Sequence, residues 1–470
     1  MTIKFQNLGP LRKGKFKLND FTVICGPNNS GKTYLAYLIY GTLENISSGS
    51  SFLSYHLGKT IPRLRRLKEN ETYIEFPEHL INDLIEAYFS KIGIDKLFNT
   101  ESEKFLENLT FCIADWKRYL RVRLEKNRDV ILPLYDKADR KYYRVNKKKL
   151  AGQFMDVPEE MPPIDLLPAY IHRLLSVAFP KPHLLTGERH AVPLFYKEFG
   201  AGRYEVPTKP KKLAKGVKRS NSSPVQATPV QELPEEREAS FSLPIGDNVR
   251  YVQGLPEKES KEGKLWQEHK AGILRNFSRI SPAEYKWDSR KEQFDYQISP
   301  VDKIPLHAAS SMARELADLY FYLRHDAAPG QLLMIDEPES HLTPRNQMLM
   351  VELLAYLSNI GLKVCITTHS DFIVRELNNL IMARELGKQN RQQSIYLDEN
   401  CLSKEKISAY VTKEIKSRSK APLFELEEVR PGTYGLAFDL FDDAIEEQGQ
   451  NTNALYEQLE CTSGGSKKKS

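Results

Sequence analysis

Two short patterns that stand far apart constrain this chain more than any other feature. The first is the octet Gly26-Pro27-Asn28-Asn29-Ser30-Gly31-Lys32-Thr33, which matches G-x-x-x-x-G-K-[ST] at every fixed position. The second lies about 300 residues downstream, where the apolar run Leu332-Leu333-Met334-Ile335 ends in the acidic pair Asp336-Glu337. If both patterns belong to one site, a large segment of chain is inserted between the two halves of that site.

The first pattern is flanked by the elements that a phosphate-binding loop requires. An apolar, β-rich run at residues 21–25 precedes it, and residues 34–40 continue as a helix without a breaker. In such a loop the backbone N–H groups point at phosphate oxygens, next to a helix N-terminus. We then expect Lys32 to reach the β- and γ-phosphates and Thr33 to ligate Mg²⁺. The alternative is an ordinary Gly/Asn turn, which the strand–loop–helix order disfavours.

The second pattern assigns different roles to two neighbouring acids. At the end of a buried strand, Asp336 is expected to contact Mg²⁺ through water, and Glu337 to be the base that polarises an attacking water. A solvated acidic turn after an apolar strand is the alternative. A further strand-like run from residue 362 is largely apolar until it ends in Thr367-Thr368-His369-Ser370, which places His369 at the same edge of a parallel sheet. A lone histidine is usually structural or merely exposed, but its position one strand after the acidic pair favours a phosphate contact. We therefore expect His369 to contact a γ-phosphate.

Together these patterns resemble those of a known family. Gly26 to Thr33 resembles a Walker A motif, Ile335-Asp336-Glu337-Pro338 a Walker B motif, and Thr368-His369-Ser370 an H-loop. The set is similar to that of the ABC-type ATPases of the SMC-like branch, in which a long helical insertion splits the nucleotide-binding head. The segment from Asp336 to Gln347 is close to the E-P-E-x-H-L-x-P-x-x-Q pattern of the AAA_15 and OLD-like (overcoming lysogenization defect) ATPases.

This resemblance implies a fold, two cofactors and an assembly. The fold is an α/β head whose mixed sheet has a parallel core with the phosphate loop and antiparallel N-terminal strands. The cofactors are ATP and Mg²⁺, with Thr33 and Asp336 at the metal and Glu337 and His369 as catalytic residues. In this family the stretch after the catalytic glutamate is a D-loop between subunits. A homodimer or higher homo-oligomer with shared ATP sites is therefore implied.

An ABC-type site also needs a signature motif, which closes the ATP site of the opposite subunit. The chain has no LSGGQ, but Ser310 and Ser311 stand about 25 residues before Asp336, where the signature belongs, and precede a helix over 312–323. They resemble the degenerate Ser-Ser version of the OLD-like group and can offer hydroxyl and N–H groups to a phosphate. The alternative is that one of them only caps the helix.

Two further segments are expected to belong to the head. Residues 284–287 and 294–298 predict a hairpin before the signature helix. The segment Leu184-Leu185-Thr186-Gly187-Glu188-Arg189 is similar to the P-A-E-R element of AAA_15 ATPases, which places Arg189 near the nucleotide or the dimer surface. A surface salt bridge explains the Glu188-Arg189 pair equally well.

Length and composition limit where such a protein can work. With 470 residues and 40% hydrophobic content, the chain can bury an α/β core and a further subdomain. Its apolar runs are shorter than the ~20 residues that cross a bilayer. The start has no signal-peptide pattern, and five scattered cysteines favour a reducing compartment. We therefore expect a soluble, cytoplasmic protein.

The segment between the two motifs is expected to be largely helical. Helical periodicity runs from about 77 to 127, with Phe105, Leu106, Leu109 and Ile113 on one face. Residues 205–243 are rich in Lys, Pro, Ser and Glu and predict a flexible linker. The expected organisation is an N-terminal head lobe (1–60), a helical insertion (61–180), a return strand (181–204), a linker (205–245), a C-terminal head lobe (246–400) and an α/β extension with a disordered tail (401–470).

Basic residues cluster between the two halves of the head, although the net charge is only +6. The clusters lie within residues 63–68, 117–128, 147–149 and 209–219. They can bind nucleic acid or an acidic viral trigger. An ordinary solvated surface is the alternative.

Three functions are compatible with these features. The first is a sensor and regulatory ATPase of a bacterial anti-phage defence system that controls a separate effector nuclease; ATPases of this build resemble the ATPase subunits of systems such as PARIS and Septu. The second is an SMC-like DNA-repair ATPase, disfavoured because no long coiled coil is present. The third is a transporter subunit, disfavoured by the missing LSGGQ. The acidic stretch 438–447 predicts an amphipathic helix and lacks a D-x-D pair, so we expect no nuclease chemistry in this chain.

Overall fold

The structure is a computed structural model, and it describes only part of the chain. The described residues are 1–48, 73–77, 97–98, 109–113, 131–135, 141–146, 179–193, 241–299, 301–390, 396–416, 421–432, 435–437 and 442–464. The four basic clusters and nearly all of the predicted linker lie outside them. Those features stay predictions.

One large sheet organises the described chain. The described strands are β1 (Thr2–Leu8), β2 (Leu11–Lys17), β3 (Phe21–Cys25), β4 (Tyr73–Pro77), β5 (Thr110–Ile113), β6 (Ile131–Tyr135), β7 (Lys141–Asn146), β8 (Pro182–Leu185), β9 (Glu284–Asp288), β10 (Gln293–Gln297), β11 (Lys303–Pro305), β12 (Leu332–Asp336), β13 (Lys363–Thr368), β14 (Ile407–Ile415) and β15 (Leu423–Val429). Nine of these strands form the large sheet, in the order β5-β1-β2-β15-β14-β3-β13-β12-β8. The two distant halves of the predicted head therefore fold into one sheet.

The core of this sheet is parallel, as predicted. Strands β8, β12, β13, β3 and β14 pair in parallel in that order. β3 and β12 are buried at every residue, which explains their uninterrupted apolar sequences, because a parallel sheet is covered on both faces. In the register, Asp336 pairs with Thr367 and Thr368 pairs with Cys25. The carboxyl ends of β3, β12 and β13 thus meet at one edge.

On the other side of β14 the pairing is mixed, because β15 is antiparallel to β14 and parallel to β2. β1 and β2 form the predicted N-terminal antiparallel pair, and β5 adds to β1. The sequence predicts an α/β extension over 401–470, and its described strands β14 and β15 lie in the middle of the sheet, with β14 beside β3. The first four residues of β14 are buried, so this strand belongs to the core of the head.

Seven α-helices are described, and several of them cover the parallel core. They are α1 (Lys32–Ser48), α2 (Leu243–Gly254), α3 (Lys264–Ile280), α4 (Ser311–His325), α5 (Pro344–Asn359), α6 (Asp371–Asn390) and α7 (Asp442–Gly464). α5 packs against both α3 and α6. An aromatic cluster joins α3, β9 and α4, where the ring of Tyr320 lies 5.6 Å from Trp266, 5.3 Å from Phe277 and 5.1 Å from Tyr285. This packing fixes the position of α4, the helix that begins at Ser311 directly after Ser310.

The hairpin predicted before the signature helix is present. β9 pairs antiparallel with β10, with Glu284 opposite Gln297, and β11 adds to the other side of β10. The acidic helix predicted over 438–447 is found as α7, which begins at Asp442. Among the described residues, no helix combines the length and the apolar character needed to cross a bilayer.

The described part of the insertion consists mainly of strands. β4, β7 and β6 form a three-stranded antiparallel sheet. The helical assignment of Ile113 is wrong, because this residue lies in β5 and pairs with Ile3 of β1. A spacing of four residues, as between Leu109 and Ile113, keeps two side chains on one face of a helix but also on one face of a strand. Most of the predicted helical segment, 77–127, lies outside the described residues.

Candidate active site

Glycine and asparagine shape the loop between β3 and α1. The N–H of Gly26 donates to the carbonyl of Thr368 at 3.2 Å. A Cβ at Gly26 would lie 1.8 Å from Oγ1 of Thr412, so β14 leaves no room for a side chain. Asn29 and Gly31 have φ angles of 61° and 92°, which glycine adopts without cost and asparagine tolerates. The residue types of the octet therefore match the backbone that the loop requires.

Lys32 begins α1, and its ammonium group turns back into the loop. Nζ donates to the carbonyl oxygens of Pro27 at 2.8 Å and Gly26 at 3.0 Å. Burial lowers the pKa of Lys32, and the nearby carboxylates of Glu337 and Asp336 oppose this shift. A desolvated ammonium group next to a helix N-terminus is well placed to receive a phosphate.

Thr33 and Asp336 meet from the two halves of the chain. Oγ1 of Thr33 donates to Oδ2 of Asp336 at 2.9 Å, and the hydroxyl of Thr367 donates to Oδ1. Burial raises the pKa of Asp336, while these two hydrogen bonds lower it. A hydroxyl and a carboxylate at this distance form an all-oxygen donor pair, which is the chemistry that Mg²⁺ prefers. The residues present therefore fit a Mg²⁺ ion.

Glu337 and His369 face each other at the same edge. Nδ1 of His369 lies 3.2 Å from Oε1 of Glu337, and both side chains remain partly exposed, at 40% and 33%. Glu337 has a φ angle of 52°, a conformation that is uncommon for residues with a side chain and that concentrates at functional turns. In such a pair, the carboxylate can accept a proton from water and the imidazole can contact a phosphate.

A third carboxylate, Glu339, holds the segment that carries His369. Its Oε1 accepts hydrogen bonds from the N–H of His369 and from Oγ1 of Thr368, both at 2.7 Å. Glu339 is 6% exposed, so these bonds are shielded from water. Glu339 is the second glutamate of the E-P-E pattern, and its role was not predicted from the sequence.

A cleft of about 1280 Å³ opens over the phosphate loop. Glu337 and His369 lie on it together with the loop, whereas Asp336 is buried beneath them. Polar groups and aromatic rings share the lining, as in many cofactor sites. The loop residues in the lining are 28–33, and the aromatic residues are Tyr34, Tyr37, Phe98 and Phe241. The cleft is large enough for a nucleoside triphosphate, since small-molecule sites span roughly 300–1,000 Å³.

Ser310 and Ser311 do not line this cleft. Oγ of Ser310 accepts from the N–H of Ala313 at 3.2 Å, which caps α4. Oγ of Ser311 accepts from Nη2 of Arg314 at 3.2 Å. Ser310 therefore acts as the helix cap that the alternative interpretation foresees. A contact of either serine with nucleotide on a second subunit stays a prediction.

Arg189 lies beneath the turn that follows β12. Its guanidinium group donates to the carbonyl oxygens of Asp336 at 2.7 Å and Glu337 at 3.0 Å, and it forms an ion pair with Glu315 of α4. Arg189 is only 3% exposed. The interpretation of Glu188-Arg189 as a surface salt bridge is therefore wrong. The residue is a buried support for the acidic pair.

Strand β14 supports the phosphate loop through one hydroxyl group. Oγ1 of Thr412 donates to Oγ of Ser30 at 2.7 Å, and both residues are fully buried. No motif in the sequence marks Thr412. Only the pairing of β14 with β3 brings it to the site.

Comparison with known proteins gives one family match. Residues 252–374, which are 123 of the 470 residues, match a model described as "AAA_15: AAA ATPase domain". The match includes Asp336, Glu337 and His369. It begins at residue 252 and therefore does not include the N-terminal phosphate loop. None of the curated proteins matches the chain.

Several solved structures are distant matches. An SmcHead bound to the C-winged helix domain of ScpA is 10% identical, with 91% of this chain and 97% of that chain covered and a TM-score of 0.34. The SMC head domain from Thermotoga maritima is 10% identical, with coverages of 91% and 98% and a TM-score of 0.30. An Smc head domain with an extended coiled coil, bound to the C-terminal domain of ScpA derived from Pyrococcus furiosus, is 12% identical, with coverages of 96% and 98% and a TM-score of 0.32.

At these identities and TM-scores the likeness is distant. The match over residues 252–374 and the site geometry bear more directly on the chemistry of this chain. A P-loop at a parallel sheet edge, facing an Asp-Glu pair and a histidine from the following strand, is an arrangement suited to binding a nucleoside triphosphate with a divalent cation.

Proposed function

We propose that this chain binds ATP with Mg²⁺ at the cleft and hydrolyses it to ADP and phosphate. One observation supports the proposal most strongly: Thr33 and Asp336, 303 positions apart, share a hydrogen bond of 2.9 Å at the edge where Glu337 and His369 also lie. If the two motifs were an ordinary Gly/Asn turn and an ordinary acidic turn, nothing would explain why they lie together.

The proposed mechanism divides hydrolysis among the residues of the cleft. Lys32 and the N–H groups of the loop bind the β- and γ-phosphates and offset their charge. Thr33 and Asp336 hold Mg²⁺, which when bound supplies further positive charge to the phosphate oxygens. Glu337 accepts a proton from the attacking water, and His369 donates a hydrogen bond to the γ-phosphate.

The proposal is tested by equilibrium ATP binding to Lys32→Ala. Removal of the ammonium group is expected to abolish binding, because no other side chain of the octet carries a positive charge. Lys264→Ala is the matched control, since Lys264 is an exposed lysine that also begins a helix. An unchanged ATP affinity in a folded Lys32→Ala protein would rule out the assignment of the phosphate loop.

We also propose that two copies of the chain share each ATP site, in a homodimer or a higher homo-oligomer. Ser310 and Ser311 lie at the start of α4, where Ser310 is exposed, and neither lines the cleft of its own chain. The N-terminus of a helix of 15 residues favours an anion. A second copy can therefore present this end of α4 to the γ-phosphate.

At the level of biology, we propose a regulatory ATPase of a bacterial anti-phage defence system that controls a separate effector nuclease. The E-P-E-x-H-L-x-P-x-x-Q pattern and the AAA_15 match over residues 252–374 support this choice. The basic clusters, which lie outside the described residues, are the proposed surface for nucleic acid or an acidic viral trigger.

Nucleic-acid assays separate this role from its alternative. The purified chain is expected to leave DNA and RNA intact with Mg²⁺ or Mn²⁺. Metal-dependent cleavage that is lost on replacing Asp439, Asp442 and Asp443 would show that the C-terminal acids form a nuclease site. Tight, salt-dependent DNA binding by the isolated chain would favour the SMC-like DNA-repair ATPase instead.

A further inference from the structure

Three residues from separate elements converge beside Arg189. His190 follows β8, Glu315 lies in α4, and His341 lies in the turn after β12. One nitrogen of each histidine and one oxygen of Glu315 lie within 4.8 Å of one another. The two imidazole rings are 4.8 Å apart between centroids. None of the three residues lines the cleft over the phosphate loop.

The cluster contains buried polar atoms without hydrogen bonds. Among the described residues, Nδ1 of His190 and Oε2 of Glu315 have no hydrogen-bond partner. The two atoms are 3.8 Å apart, which is too far for a hydrogen bond between them. Unpaired buried polar atoms are costly, so native structures contain few of them. A ligand that contacts both atoms would remove this cost.

The carboxylate of Glu315 is already held from its other side. Oε1 forms an ion pair with Arg189, whose guanidinium group is itself bound by the carbonyl oxygens of Thr186 at 2.9 Å, Asp336 and Glu337. A carboxylate that ligates a metal is commonly fixed in this way by a partner on its second oxygen. Oε2 is left on the side of His190.

We propose that His190, Glu315 and His341 form a binding site for a transition-metal ion of the Zn²⁺ class. Two imidazoles and one carboxylate are a common ligand set for Zn²⁺, with a water at the fourth position. Mg²⁺ and Ca²⁺ are disfavoured because they take oxygen ligands, and because Arg189 offsets the charge of the single carboxylate.

The three candidate ligand atoms lie slightly too far apart to bind one ion without movement. Zinc bonds of roughly 2.0–2.2 Å place tetrahedral ligand atoms roughly 3.3–3.6 Å apart, so the cluster has to contract by roughly 1 Å. The side chain of His190 is 36% exposed, and His341 is exposed on its turn. Because both side chains reach the surface, we expect them to rotate toward the ion on binding. The bound ion would link the turn after β12 to α4. It would lie next to Arg189, which supports the acidic pair Asp336-Glu337.

The test is Zn²⁺ binding by the metal-free full chain, measured by competition with a chromophoric chelator in the absence of nucleotide. All proteins carry Cys112→Ser, because Cys112 is an exposed thiol that can itself bind zinc. We expect one tight site in this parent, and a loss of affinity of roughly tenfold or more in His341→Ala and in His190→Ala. His307→Ala, which removes an exposed histidine outside the cluster, should bind as the parent does.

A second readout guards against loss of folding. The parent should unfold at a higher temperature with Zn²⁺ than without it. This shift should vanish in His341→Ala, whose metal-free melting temperature should match that of the parent. No zinc binding by the parent, or equal affinity in the parent and both cluster variants, overturns the proposal. Because nucleotide is absent, these outcomes do not depend on whether the chain hydrolyses ATP.

Discussion

At the scale of single residues, the contact between Thr33 and Asp336 joins the two halves of the proposed ATP site. It forms because the carboxyl ends of β3 and β12 lie at one sheet edge, on either side of β13. Asp336 is 4% exposed, so its carboxyl group is largely shielded from water and is held by the hydroxyl groups of Thr33 and Thr367. The hydroxyl of Thr33 is one of those groups and is also the proposed metal ligand.

Thr33→Ala is expected to weaken the response to Mg²⁺. Loss of a hydroxyl bound to a charged partner costs about 1.5–3 kcal/mol, which corresponds to roughly 10- to 100-fold in the Mg²⁺ concentration for half-maximal ATP hydrolysis. Thr33→Ser keeps the hydroxyl and should stay near wild type. The measurement is a Mg²⁺ titration of phosphate release, and equal titration curves for Thr33→Ala and wild type would contradict the metal assignment.

Asp318 is expected to make the stability of the protein depend on pH. It is fully buried in α4, Oδ1 has no hydrogen-bond partner among the described residues, and burial raises its pKa to about 8. An acid with a raised folded-state pKa stabilises the fold fully below its unfolded pKa, and this contribution is lost as pH rises through the folded pKa. The window therefore runs from about pH 4 to about pH 8.

Asp318→Asn should remove this part of the pH dependence. The amide stays neutral at every pH, so the free energy of unfolding should fall less between pH 5 and pH 8 than in wild type. Urea unfolding with a metal chelator present measures it. Asp302→Asn, at an exposed aspartate, is the control and should follow the wild-type curve. Parallel curves for Asp318→Asn and wild type would show that Asp318 does not carry the effect.

At the scale of elements, the sequence predicts what local patterns encode. β3 and β12 are recognisable because continuous apolar runs end in loop motifs, and the β9–β10 hairpin follows from alternating strand residues around a polar turn. The helical assignment of Ile113 fails because a spacing of four residues suits both helix and strand. The place of β14 was not predictable, since its pairing with β3 is a long-range contact that no motif marks.

The part of the site that depends on β14 was missed for the same reason. Thr412 and Ser30 are 382 positions apart, yet their hydroxyl groups share a buried hydrogen bond. Arg189 could be located from its motif, but its burial follows from tertiary packing alone. Sequence patterns therefore identify the groups that are proposed to touch nucleotide better than the groups that hold them in place.

Thr412→Val tests whether β14 supports the phosphate loop. Valine keeps the shape but leaves the hydroxyl of Ser30 without its buried partner, at a cost of about 1–3 kcal/mol. We expect a lower free energy of unfolding and an ATP affinity reduced severalfold, with Thr412→Ser close to wild type. Urea unfolding and equilibrium ATP titration are the measurements. Wild-type values in both assays would show that the loop does not need this strand.

At the scale of the whole molecule, a single sheet brings together residues from both ends of a split head. The insertion leaves the site intact because β8 returns the chain to the edge of this sheet, beside β12. The cleft is bounded by one copy of the chain, while the start of α4 lies away from it. This arrangement is the basis for the proposed sharing of ATP sites between copies.

The central claim, hydrolysis with Glu337 as the base, is tested most directly by the rate of phosphate release from saturating ATP and Mg²⁺ in wild type and Glu337→Gln. Loss of general-base catalysis should slow turnover by roughly 10²-fold or more. ATP affinity should be retained, and an ATP-bound dimer or higher assembly should accumulate. Glu257→Gln, at an exposed glutamate away from the cleft, should match wild type. Wild-type turnover in Glu337→Gln would contradict the account.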